Sequence, residues 1–156
     1  MDDYYRQLPR KSMAAGALVF NATSELLIVK PSYMNDWSIP GGVVEENESP
    51  RNACIREIKE EVGIVLGNIL LLCVDYMSSD VYKSESLQFI FYGGVLSEVE
   101  VRKITTDGEE IVDHRFVDIE TAVELLGGPT KGLARRLQRC MDVVASNRGI
   151  YLENGA

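Results

Sequence analysis

GGVVEENESPRNACIREIKEEVGI, running from Gly41 to Ile64, contains a helix whose two ends are both marked in the residues. Ser49 offers the side-chain oxygen of a good N-cap, Pro50 suits the first helical position, and Gly63 supplies the left-handed residue that closes a helix. At about 100° per residue, Cys54, Ile55, Ile58 and Val62 gather on one arc, which is expected to face a core. Glu57, Glu60 and Glu61 share the neighbouring arc, and Arg56 stands one turn before Glu60. Carboxylates at these spacings repel one another unless positive charge sits among them. A hard divalent cation meets that need, because it takes oxygen ligands and keeps water and substrate phosphate in its shell. The Gly41-Gly42 pair lets backbone approach closely, so a carbonyl there is a candidate further ligand.

Size and charge narrow the classes. A chain of 156 residues reads as one domain, long enough to bury a core without disulfides or metal staples. A net charge of −8 argues against a general nucleic-acid binder, which would show a basic footprint. It does not argue against an anionic substrate, since a bound metal inverts the local field. The 3 cysteines, Cys54, Cys73 and Cys140, are odd in number, widely spaced and set among apolar residues. They read as reduced core thiols rather than a disulfide frame or a zinc site. No signal peptide is visible at the N-terminus and no apolar run is long enough to span a bilayer, so the expected location is cytoplasmic.

Outward from the helix, residues 1–12 read as an N-terminal arm, 13–147 as the domain and 148–156 as a C-terminal tail. Residues 14–20 and 26–30 have strand character and are joined by Asn21-Ala22-Thr23-Ser24 as a hairpin, with Pro31 ending the second strand. The loop 32–36 carries Tyr33 and Met34 towards Trp37. Beyond the helix, 69–77 and 87–96 read as strands, the latter with a bulge at Gly93-Gly94. A polar loop, 78–86, lies between them and holds Tyr82 and Lys83. Residues 98–102 read as one more edge strand, and 105–110 as a turn feeding a strand at 111–117. Asp118 caps a helix ending at Leu126, which Gly127-Gly128-Pro129 breaks. A last helix over 130–147 shows Leu133, Leu137, Cys140, Met141 and Val144 at helical spacing. Strands, helix, strands and helices in that order fit an α/β (α+β) fold.

The residues of the first helix also carry a family resemblance. From Gly42, five residues lead to Glu48 and seven more to Arg56-Glu57. Ile58, one free position, Glu60-Glu61, Val62, Gly63 and Ile64 follow. With Trp37-Ser38-Ile39-Pro40-Gly41 before it, this arrangement resembles a complete Nudix box. The resemblance implies a Nudix-type α/β/α sandwich with a mixed central sheet. It implies hydrolysis of a pyrophosphate bond, in a nucleoside diphosphate linked to another moiety or in a nucleoside triphosphate, by water attack at phosphorus. The implied cofactor is Mg2+ (or Mn2+). Carried over residue by residue, Glu60 and Glu61 match the principal metal ligands, Glu57 a further ligand and Gly41 the carbonyl donor. Arg56 matches the arginine that ion-pairs the box carboxylates and joins the catalytic and substrate-binding candidates. Glu48 matches an accessory or structural position, and Gly42 and Gly63 are structural positions of the box.

Outside the box the resemblance thins. The general base varies within the family, and many members recruit another glutamate from a late loop. Glu110 is the expected one here, preferred to Glu109 because a residue beside a strand is held more firmly; Asp113 is a third candidate. Tyr33 and Trp37 are substrate-binding candidates by their place beside the box, with packing the favoured reading for Trp37 and neither reading preferred for Tyr33. His114, the single histidine, reads as structural. Lys131, Arg135, Arg136 and Arg139 read as a solvated face rather than a phosphate-steering patch. Ser78 departs from the proline of the ADP-ribose subgroup. The expected partner is a small nucleotide-type diphosphate, with no membrane, no nucleic acid and a homodimer left open. A non-hydrolytic nucleotide-binding module and an isomerase on the same fold are the alternatives.

Overall fold

The computed structural model describes residues 2–81 and 84–156; Tyr82 and Lys83, expected in a loop, lie outside the described residues, as does Met1. In chain order the elements are α1 (Asp2–Gln7), β1 (Ser12–Phe20), β2 (Leu26–Pro31), β3 (Gly41–Val43) and α2 (Pro50–Val62). There follow β4 (Leu70–Met77), β5 (Ser86–Val95), α3 (Glu98–Arg102), β6 (Ile111–Val117), α4 (Ile119–Leu125), α5 (Gly132–Val143) and β7 (Ile150–Glu153). The strands make a seven-stranded mixed sheet in the order β6-β2-β1-β5-β4-β7, with β3 added to β1. β1 runs parallel to β5 and β4 parallel to β7, and the other pairs are antiparallel.

β1 shows why the sheet has two cores. Successive side chains of a strand point to opposite faces. Ala15, Ala17 and Val19 enter the cluster under α2, with Cys54, Ile58 and Val62, while Leu18 and Phe20 enter the one under α4 and α5, with Leu126, Leu137 and Cys140. The result is a helix–sheet–helix sandwich.

The expected hairpin between β1 and β2 is real only at its mouth, where Phe20 pairs with Leu26. Beyond that the strands diverge. The segment before the box enters the gap: Val29 exchanges both backbone hydrogen bonds with Ser38, Pro40 accepts from Ala17 N–H, and β3 pairs Gly41 with Gly16. That wedge seats Gly41 and Gly42 in the middle of the sheet, and glycine is needed for it. A Cβ on Gly41, whose φ is 151°, would stand 2.3 Å from the Ala15 carbonyl oxygen. The expected bulge at Gly93-Gly94 is present, because Leu18 pairs with Tyr92 but Val19 with Gly94.

Three expectations are corrected. Residues 98–102 form a helix, not an edge strand: Ser97 accepts from the Glu100 N–H and the Glu100 carboxylate accepts from the Ser97 N–H, a complete capping box. As expected, Pro31 ends β2, at a register shift against β6, which a residue without an N–H tolerates. α5 is shorter than 130–147, beginning at Gly132 and ending at Val143. Residues 148–156 are no free tail, because β7 pairs with β4, and Asn154 and Gly155 bond back to the β4 region. At the other end, the arm 1–12 contains α1 and the first residue of β1.

Candidate active site

α2 forms as its ends predict. Ser49 Oγ accepts from Asn52 N–H at 3.1 Å, and Gly63, at φ 74°, donates its N–H to Lys59 O at 3.0 Å. Ala53, Cys54, Ile58 and Val62 are fully buried, whereas Ile55 is only half-buried at the rim of the core. Fixing that face fixes the adjoining one, where Glu57, Glu60 and Glu61 project.

The three carboxylates have distinct surroundings. Glu61 is 6% exposed and accepts from Gly41 N–H at 2.9 Å. Burial pushes its carboxyl up to about 8 against the Gly41 hydrogen bond, and the fields of Glu57, Glu110 and Asp107 add to the rise. Glu57 lies over Gly42, where a Cβ would come within 2.5 Å of its carboxyl carbon. Burial raises its pKa too, opposed by Arg56. Glu60 is 59% exposed at its side chain and meets Arg56 Nη1 at 3.3 Å.

Arg56 ties the cluster together. Its Nε and Nη2 donate to the two oxygens of Glu48 at 2.8 and 3.0 Å, Nη1 donates to Glu57 at 2.9 Å, and Nη2 also reaches Val43 O at 3.1 Å. The bidentate pair with Arg56, helped by the Glu45 N–H, holds the Glu48 carboxyl down at about 2. The same pairing keeps the guanidinium charged.

Of the residues outside the box, Glu110 lies near enough for its charge to act on Glu57 and Glu61. The turn before β6 is organised by Asp107 Oδ1, which accepts from the N–H groups of Glu109, Glu110 and Ile111 at 3.0, 3.1 and 3.0 Å. Glu110 O accepts from Ser32 N–H at 2.9 Å, so the turn is tied to the end of β2. The Glu110 carboxylate acts electrostatically on Glu57, Glu61 and Tyr33. Asp113 instead faces Arg115 at 3.6 Å.

Gly41 and Gly42 also border a cleft of about 610 Å³. Tyr33 and Trp37 line it. Tyr33 is exposed, while Trp37 is buried in the α4/α5 core, donates its backbone N–H to Leu125 O and carries the Arg115 guanidinium 4.6 Å over its ring. Gln88, Lys131 and Arg136 line the cleft further along the sheet. Arg136 corrects an expectation, because it is buried rather than part of a solvated face. Its Nε donates to the wholly buried Asp75 at 2.7 Å. The signal was present in the sequence: Asp75 interrupts an apolar strand, and Arg136 shares the core-facing arc of its helix with Leu133, Leu137 and Cys140.

Among the described residues, no three acidic side chains converge as a finished metal cage. The donor set nonetheless fits one kind of ion. Glu57, Glu60 and Glu61 would offer carboxylate oxygen and the Gly41 carbonyl another oxygen, the hard donors such an ion takes. That is the chemistry of magnesium or manganese rather than zinc.

Comparison with known proteins bears on the family. A NUDIX domain profile matches residues 10–137. An RNA pyrophosphohydrolase from Hydrogenovibrio crunogenus is 36% identical over 128 residues, covering 70% of this chain and 77% of that protein. Diphosphoinositol polyphosphate phosphohydrolase 2 from Mus musculus is 28% identical over 118 residues, covering 72% of this chain and 61% of the relative's length. The solved structure of a NUDIX hydrolase from Nitrosomonas europaea shares the fold, with a TM-score of 0.68 at 21% identity, covering 90% of this chain and 93% of that one. The domain match begins before β1 and ends inside α5, far beyond the box itself, and on that ground the chain belongs to the Nudix hydrolase family.

Proposed function

We propose that this protein is a divalent-metal-dependent hydrolase that cleaves a pyrophosphate bond in a small nucleotide-type substrate by water attack at phosphorus. The observation that carries the reading is the acidic face of α2, where Glu57 and Glu61 are packed on the glycines that border the cleft. Glu57, Glu60, Glu61 and the Gly41 carbonyl would hold Mg2+ (or Mn2+). When bound, such an ion neutralises pyrophosphate charge and lowers the pKa of water.

The chain's own residues do the rest. Arg56 keeps Glu57 and Glu60 aimed together, and Glu48 fixes Arg56. Glu110 takes the proton of the attacking water. A bond forms between water oxygen and phosphorus, the bridging P–O bond breaks, and its electron pair leaves with the departing phosphate. The cleft is of the size that holds a small ligand, and its walls at Tyr33 and Trp37 suit a substrate with a ring. The RNA pyrophosphohydrolase and diphosphoinositol relatives widen the substrates worth testing.

The test is product release from a panel of nucleoside triphosphates, sugar nucleotides, dinucleoside polyphosphates, diphosphoinositol polyphosphate and 5′-triphosphorylated RNA. Turnover of one class with magnesium, lost with excess chelator and reduced at least about 100-fold in Glu60→Gln and Glu61→Gln, is expected. Turnover that survives chelation, or no turnover of any class, overturns the reading.

A further inference from the structure

The cleft does not stop at the box. Register carries it across the sheet: Val43 pairs with Ala14, Ala14 with Gln88, and Gln88 with Asp75. Paired residues on neighbouring strands point to the same face. From β3 to β4 is three strand spacings, roughly 14 Å. The row lies on the α4/α5 face, where the cleft meets the box only at Gly41 and Gly42. The far end is Asp75, with Arg136 of α5 above it.

Arg136 is only 6% exposed yet lines the cleft. Its Nε is taken by Asp75 Oδ2 at 2.7 Å and its Nη2 by Met77 Sδ at 3.1 Å. Among the described residues Nη1 has no hydrogen-bond partner. Asp75 is itself held from behind, since Gly155 N–H donates to its other oxygen at 3.1 Å. The C-terminal turn that delivers Gly155 is fastened by Asn154, whose N–H donates to Tyr76 O and whose Oδ1 accepts from Ser78 N–H, each at 2.9 Å. Gln88 lies beside this pair, with its Nε2 donating to Ser86 Oγ at 3.0 Å.

Because Asp75 already balances the guanidinium charge, Arg136 offers the cleft a fixed N–H donor rather than net positive charge. A second phosphate would find little attraction, whereas a neutral carbonyl oxygen finds a charge-assisted hydrogen bond of fixed direction. We propose that Arg136, oriented by Asp75 and the Gly155 turn, is a specificity-determining residue that selects substrates whose ring carries an oxo group at the end remote from the pyrophosphate. The proposal rests on the nucleotide-hydrolase reading above and adds the class of base.

Binding rather than turnover tests it, so that its failure and the failure of the hydrolase reading remain separate. Inosine and adenosine 5′-monophosphates differ at the C6 substituent, oxo in one and amino in the other. Titration calorimetry with each, on wild type, Arg136→Lys and Gln88→Leu, reads the preference directly. Arg136→Lys keeps the charge beside Asp75 but loses the planar fork, and thermal melts check that it folds.

Wild type is expected to bind the inosine nucleotide about tenfold more tightly, the loss expected when a charge-assisted hydrogen bond is removed. Arg136→Lys is expected to bind the two within about twofold, with the adenosine affinity unchanged. Gln88→Leu is expected to keep the preference for the oxo form. An equal wild-type affinity for both nucleotides overturns the proposal, as does a preference that survives intact in folded Arg136→Lys. Tighter binding of adenosine 3′,5′-bisphosphate than of adenosine 5′-monophosphate, lost in Arg136→Lys, would show a phosphate subsite instead and overturn it too.

Discussion

Glu61 sits where a carboxylate is ill at ease: buried, in the fields of Glu57 and Glu110, and hydrogen-bonded among the described residues by Gly41 N–H. Its folded-state pKa of about 8 lies above that of the unfolded chain. The stability this contributes is fully present below the unfolded pKa and is lost as pH rises through the folded value. Metal-free protein is therefore expected to melt at a lower temperature at pH 8.5 than at pH 5.5, and Glu61→Gln to flatten that slope; melts across this range check it. Gly42→Ala belongs to the same scale. The added methyl collides with the Glu57 carboxylate, so turnover is expected to fall at least about tenfold while the fold survives. Steady-state kinetics beside a circular-dichroism melt separates the two effects.

α2 was the most legible element, because local chemistry sets it: a cap at Ser49, a stop at Gly63 and one apolar arc between them. Ser49→Ala is expected to cost about 1 kcal/mol by chemical denaturation, the usual worth of a cap. The expected strand at 98–102 failed for an equally local reason, since Ser97 and Glu100 form a capping box that outweighs the β preference of Val99 and Val101. β3 was invisible in the sequence. Three residues of Gly-Gly-Val become a strand only because β1 and β2 diverge and leave unpaired backbone between them. Glu110 could be proposed from its place before a strand, but the Asp107 side chain that organises its turn acts through three backbone N–H groups that no spacing rule reveals. Asp107→Ala is accordingly expected to lower kcat at least about tenfold, with a melting temperature within a few degrees of wild type.

At the scale of the molecule, the sequence marked out two packed faces and a reduced interior but not how its C-terminus is used. Cys54, Cys73 and Cys140 are buried and unbridged, and burial pushes the Cys54 thiol up to about 12. The Cys140 thiol meets Cys73 Sγ at 3.3 Å across the β4–α5 contact. Residues 148–156 looked like a tail because four residues of Ile-Tyr-Leu-Glu carry little signal alone, yet β7 closes the sheet and shields Asp75. Carboxylate repulsion on α2 is a property of the whole metal-free fold, so saturating magnesium or manganese is expected to raise the melting temperature by several degrees. A midpoint unmoved by either ion would count against the site.

These scales meet in α2, whose carboxylates are proposed to support a metal-dependent attack of water on phosphorus. Turnover of whichever panel substrate proves active, run in water enriched in oxygen-18 and read by phosphorus NMR and mass spectrometry, tests it most directly. The account predicts one heavy oxygen in one phosphate-bearing product, with magnesium required and incorporation abolished in Glu61→Gln. Heavy oxygen absent from every phosphate product, or turnover undiminished in chelator, would contradict it.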